Sequence, residues 1–75
     1  MLSIDQLKPG ESAVIRLIEQ RNSAACYLME LGLMAGTTVK MIKRAPLGDP
    51  MEIRLRGFNL SIRRSEANAI LVEKT

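Results

Sequence analysis

Met51-Glu52-Ile53-Arg54-Leu55-Arg56-Gly57-Phe58-Asn59-Leu60-Ser61-Ile62 is the stretch that decides the fold. Apolar and polar residues alternate along it, the period of a strand with one face against a core. Met51, Ile53 and Leu55 are apolar at odd positions; after Gly57 the apolar residues are Phe58, Leu60 and Ile62, at even ones. A change of phase inside an otherwise regular pattern requires a tight turn or a bulge. Arg56-Gly57 is the place for it, since glycine tolerates the left-handed backbone that such a turn demands. The stretch therefore reads as two strands of an antiparallel sheet.

Upstream, Ala45-Pro46-Leu47-Gly48-Asp49-Pro50 is a break bracketed by prolines, which cannot donate to a ladder. Thr37 to Arg44 reads as a strand, with Val39 and Met41 on one face and Lys40 and Ile42 on the other. The β-rich run Ser12 to Ile18 reads as the first strand. Ser3 to Leu7 reads as one helical turn capped by Ser3 and stopped by Lys8-Pro9-Gly10. Between these strands, Asn22 or Ser23 offers an N-cap for a helix over residues 24–31, with Ala24, Leu28 and Leu31 on one face and Tyr27 beside it. Gly32 suits the left-handed position that ends a helix, and Leu33 to Gly36 forms a connector.

Downstream, Arg64 to Asn68 reads as a single 3₁₀ turn, and Ala69 to Glu73 as the last strand. This order predicts a mainly β domain spanning 1–75. The expected form is a small SH3-like barrel of about five strands, with one short α-helix in the first long connection and a 3₁₀ turn before the last strand. An open α+β sheet is the alternative.

Composition narrows the chemistry. The chain has 75 residues, no histidine and one cysteine, so neither an internal disulfide nor a Cys/His metal clip is available. An unpaired Cys26 fits a reducing cytosol. Nothing near it activates a thiolate, and it reads as a small buried hydrophobe. No GxxxxGK[ST] phosphate loop is present, and no constellation supports catalysis. The N-terminus lacks the pattern of a signal peptide, and no apolar run reaches the length of a membrane helix. The expectation is a cytoplasmic protein that is not an enzyme, is not inserted in a membrane, and is a monomer or weak homodimer.

Charge is uneven. Up to Thr38 three basic residues meet four acidic ones, whereas from Val39 onward eight basic residues meet four acidic. The basic set Lys40, Lys43, Arg44, Arg54, Arg56, Arg63 and Arg64 defines a rival reading, an RNA- or ribosome-associated module. Against it, Tyr27 and Phe58 are the only aromatic residues, too few for base-stacking platforms, so no nucleic-acid partner is expected. Asp49, Glu52, Glu66 and Glu73, with Cys26 as a softer donor, offer at most a weak transition-metal site, and no cofactor is expected.

Three motifs taken together resemble the FeoA family. They are Leu28-Met29-Glu30-Leu31-Gly32-Leu33-Met34-Ala35-Gly36-Thr37-Thr38-Val39, then Ala45-Pro46-Leu47-Gly48-Asp49-Pro50, then Leu60-Ser61-Ile62-Arg63 through Glu66-Ala67 to Ile70-Leu71-Val72. The resemblance covers nearly the whole chain. It implies a soluble accessory protein of bacterial ferrous-iron uptake that binds and modulates FeoB, a membrane permease with a cytosolic G domain. Related domains occur at the C-terminus of iron- and manganese-dependent repressors. On an SH3-like barrel, the partner surface expected from the residues lies between the first long connection and neighbouring loops: Tyr27, Leu28, Leu31, Leu33, Met34, Leu47, Gly48 and Asp49. Leu33, Met34 and Leu47 are apolar in turn segments and are expected to be exposed.

Overall fold

In the computed structural model, residues 1–19, 30 and 32–75 are described. Among them six strands run in the order β1 (Leu2–Ser3), β2 (Ser12–Ile18), β3 (Thr38–Arg44), β4 (Met51–Leu55), β5 (Phe58–Ile62) and β6 (Ile70–Lys74). A 3₁₀ turn, Ile4–Gln6, follows β1, and a one-turn helix α1, Arg64–Ala67, precedes β6. The expected helix over 24–31 falls almost wholly outside the described residues.

The Met51–Ile62 hairpin forms as its alternation dictates. Leu55 pairs with Phe58, Ile53 with Leu60 and Met51 with Ile62, so the turn holds two residues, Arg56 and Gly57. Both have positive φ, 49° and 85°, as a turn matching the right-handed twist of a hairpin requires. Cross-strand partners share a face of the sheet. The change from odd to even is therefore the direct consequence of pairing 55 with 58. Met51, Ile53, Leu55 and Ile62 are buried, whereas Phe58 at the hairpin end is 43% exposed.

The five-strand barrel is not what the chain forms. The described strands lie in one sheet of order β1-β6-β2-β3-β4-β5, and among the described residues β1 and β5 are its two unpaired edges. Two features account for the difference. Leu2 and Ser3 pair with Val72 and Leu71, adding a strand on the far side of β6. In addition, no pairing joins β5 to β1, so the sheet does not close. The sheet is nevertheless strongly curled, because the overall extents are nearly equal at 27 × 25 × 24 Å. Irregular register between Ile15 and Leu17 in β2, and between Met41 and Lys43 in β3, supplies the bends.

The concave face holds the core. Ile4, Leu7, Ala13, Ile15, Val39, Met41, Ile53, Ala67, Ile70 and Val72 are all at 0% exposure. The N-terminal turn serves this core: its Ile4 and Leu7 seal one side, and Gln6 Oε1 accepts a hydrogen bond from Ser3 N at 2.9 Å. Arg44 fastens it from a distance. Its guanidinium donates to Leu7 O at 2.8 Å and also to Asp5 O.

The turn before the last strand is α-helical in place of the expected 3₁₀ form. Ala67 N donates to Arg63 O and Asn68 N to Arg64 O, each four residues back. Glu66 Oε1 accepts from Arg63 N at 2.8 Å and holds the first turn in place.

Candidate functional site

The loop of residues 45–50 joins β3 to β4, and its sequence fixes its form. Pro46 pre-sets its own φ, and Gly48 N donates to Ala45 O at 2.7 Å, closing a turn with Pro46 and Leu47 at its centre. Gly48 takes φ +85°, a conformation other residues adopt only with strain. Ala45 N donates to Pro50 O at 3.0 Å, pinning the base of the loop. Asp49 Oδ1 accepts from Arg64 N at 2.9 Å, tying the loop to the start of α1. The loop is thus held at three points while Leu47 stands 95% exposed at its tip. A lone exposed leucine carries little information. One presented on an anchored loop, beside two concave surfaces, carries more.

Two shallow clefts of about 370 and 330 Å3 flank this loop and share Pro50 and Ser61. The first runs over Lys43, Ala45, Pro46 and Met51; the second lies between Asp49, Ile62, Arg63 and Glu66. Both are open and mixed in polarity, a shape that suits a docking segment better than an enclosed small molecule.

Of the residues expected at a partner surface, Leu47, Gly48 and Asp49 share this loop. Leu33 does not belong with them. It is at 0% exposure, packed within the core, so the expected exposure is corrected. The reason lies in the connector. Gly32, at φ +102°, turns the chain so that Leu33 points inward, and Thr37 Oγ1 donates to Gly32 O at 3.1 Å to hold the turn. Met34 is exposed at 39%, but it precedes β3 whereas the loop follows it. A seven-residue strand at about 3.3 Å per residue separates the two by roughly 20 Å. Tyr27, Leu28 and Leu31 lie outside the described residues, as does Cys26.

The acidic residues considered for a metal site are each hydrogen-bonded or ion-paired, and only Asp49 and Glu66 share a cleft. Glu52 Oε2 accepts from Asn59 Nδ2 at 2.8 Å, Glu66 and Asp49 accept backbone N–H groups, and Glu73 pairs with Arg16 at 3.3 Å. Among the described residues no group of three or more His, Cys, Asp or Glu converges on one point. The basic set is also divided. Arg44 is half-buried and committed to backbone carbonyls, while Lys40 and Arg54 face each other across β3 and β4. Among the described residues no helix is long and apolar enough to cross a membrane.

Sequence reasoning missed two structural roles. Arg44 was read only as a surface charge; its reach to Leu7, 37 residues away, leaves no local signal. Asp49, expected at the partner surface and among the acids of a weak metal site, also accepts from Arg64 N across 15 residues.

The described residues form a small curled β-sheet domain that presents an anchored loop flanked by open clefts. The comparisons with known proteins agree on which one. The FeoA domain family matches residues 2–74, and the chain belongs to this family. It is 35% identical over 72 residues to the Fe(2+) transport protein A/Fe(2+) transporter FeoB fusion protein of Porphyromonas gingivalis. That alignment covers 96% of this chain and spans 8% of the relative's length. Among solved structures, the FeoA protein of Chlorobium tepidum is 36% identical with a TM-score of 0.90, covering 97% of this chain and 70% of that one. The FeoA-like protein of Clostridium acetobutylicum is 33% identical with a TM-score of 0.90, covering 97% and 85%.

Proposed function

We propose that this chain, acting as one domain over 1–75, is a non-catalytic accessory protein of ferrous-iron transport. It docks on the cytosolic part of an FeoB-type transporter through the 45–50 loop. Leu47 supplies the apolar contact, Gly48 the turn that presents it, and Asp49 the tie that keeps the loop in register with α1. The observation that carries the reading is the near-complete exposure of Leu47 on a loop held by three hydrogen bonds. A preformed loop loses little entropy on binding, so a single well-placed anchor counts for more than its area. Support for the partner class comes from the 35% identity to a protein whose name joins transport protein A to the transporter FeoB.

The test is affinity for a detergent-solubilised FeoB-type transporter from the same cell. Leu47→Asp places a charge in the centre of the contact and leaves the core untouched. Binding is expected to weaken at least tenfold with the melting temperature unchanged. Wild-type affinity in Leu47→Asp would refute the assignment of this loop.

A further inference from the structure

The 45–50 loop leaves one feature of the sheet unexplained, the open edge at β5. Among the described residues β5 has one neighbour, β4, and its register with β4 is regular over Leu55↔Phe58 to Met51↔Ile62. In a two-residue hairpin the residues flanking the turn form a hydrogen-bonded pair, and every second residue after them does the same. Phe58, Leu60 and Ile62 therefore bond back to β4. The backbone N–H and C=O groups of Asn59 and Ser61 point away from it, and both residues are exposed.

Edge strands are normally blunted by proline, bulges or an inward-pointing charge. Phe58-Asn59-Leu60-Ser61-Ile62 has none of these. The edge ends at Arg63, whose N–H is already taken by Glu66 Oε1. It thus offers four backbone groups, a ladder for a short extended segment.

Charge decides what that segment is. Arg56 precedes the edge and Arg63 and Arg64 follow it, all three exposed. The neighbouring carboxylates Asp49, Glu66 and Glu52 accept from Arg64 N, Arg63 N and Asn59 Nδ2, and none of these bonds occupies an arginine side chain. The ion pairs among the described residues, Arg16 with Glu73 and Lys74 with Glu11, involve none of these arginines. A second copy pairing antiparallel about Leu60 would set Arg56 of one chain against Arg64 of the other, twice over. Like charges placed opposite each other across a ladder oppose pairing. An acidic strand meets the opposite situation at both ends.

We propose that the free edge of β5 accepts an extended, acidic segment of a protein partner by strand addition, with Arg56, Arg63 and Arg64 reading its charge. Such a segment adds a seventh strand beyond β5. Its side chain beside Ser61 then lies at the mouth of the cleft lined by Asp49, Pro50, Arg63 and Glu66, where an uncharged residue fits beside the two carboxylates and the acidic residues fall toward the arginines at either end. This edge adjoins the 45–50 loop through that cleft, but the proposal rests on the outward backbone groups of β5 and not on Leu47.

The experiment is a titration of the ¹⁵N-labelled full chain with a capped eight-residue peptide in which Glu alternates with Val and Thr. The control is the same peptide with Lys for Glu. The acidic peptide is expected to shift the Asn59 and Ser61 amides and slow their hydrogen exchange, and to bind at least tenfold more tightly than the basic one. Ser61→Pro removes only an outward donor, which an edge strand tolerates, and is expected to weaken binding at least tenfold. Arg63→Gln with Arg64→Gln is expected to do the same. Equal affinity for both peptides overturns the proposal, and so do shifts confined to residues 45–50 or a β5-mediated dimer in sedimentation equilibrium. Should Ser61→Pro fail to fold, the exchange rates of Asn59 and Ser61 in the wild-type chain decide.

Discussion

Replacing Leu33 with alanine removes a fully buried side chain from the point where the connector enters the core. Truncating a buried leucine costs about 2–5 kcal/mol, the lost transfer energy plus the cavity left behind. A chain of 75 residues at roughly 0.05–0.15 kcal/mol per residue has a total stability of about 4–11 kcal/mol. A loss of about 3 kcal/mol is therefore a large part of the whole. With a urea m-value of about 1 kcal/mol per molar for a domain of this size, the midpoint is expected to fall by roughly 3 M. The assay is urea unfolding followed by far-ultraviolet circular dichroism, with Leu47→Ala as the matched control. Leu47 is 95% exposed, so its truncation is expected to change stability by less than about 0.5 kcal/mol. A Leu33→Ala midpoint within 0.5 M of wild type, on the order of the control's change, would show that Leu33 is not a core residue. The assignment of the connector would fall with it.

Arg56 adopts φ +49° in the hairpin turn, where asparagine is far better suited. Arg56→Asn is expected to stabilise the protein by about 1 kcal/mol, a rise in melting temperature of about 4–8 °C by calorimetry. Glu11 is held below the ordinary carboxylate range first by the Lys74 ammonium, 2.8 Å away, and then by the hydrogen bond from Lys8 N. A depressed folded pKa contributes stability above the unfolded value of about 4.3 that is lost as pH falls through the folded one. Glu11→Gln should therefore be less stable than wild type at pH 7, with the gap closing in acid. Lys74→Met should move the Glu11 carboxyl titration upward by NMR, and an unmoved titration would contradict the assigned cause.

The sequence and the structure agree most closely where a single local rule decides. The hairpin is the clearest case, because alternation fixes the faces and Gly57 fixes the turn. Agreement fails where a residue's environment depends on something distant. Leu33 was expected at the surface because its neighbours are turn residues, and local polarity does not reveal which way a connector's side chain points. Leu17 shows the same limit in β2. It sits at an odd position like the buried Ala13 and Ile15, yet it is 51% exposed because the register shifts between Ile15 and Leu17. A bulge inserts a residue without changing the composition around it, so the pattern alone does not announce it.

The amino-acid sequence by itself determined that this is a mainly β chain, that Met51 to Ile62 is a hairpin turning at Arg56-Gly57, and that its motifs are those of the FeoA family. Each of these rests on spacing along the chain. Tertiary structure alone decided that, among the described residues, the sheet has six strands with open edges at β1 and β5, that Leu33 is core, and that Arg44 ties Asp5 and Leu7 to β3. Alternation states which face of a strand is buried but not which strand lies beside it. Whether a curled sheet closes is a property of pairings between its two ends, and residues far apart in sequence leave no mark on one another until the chain folds.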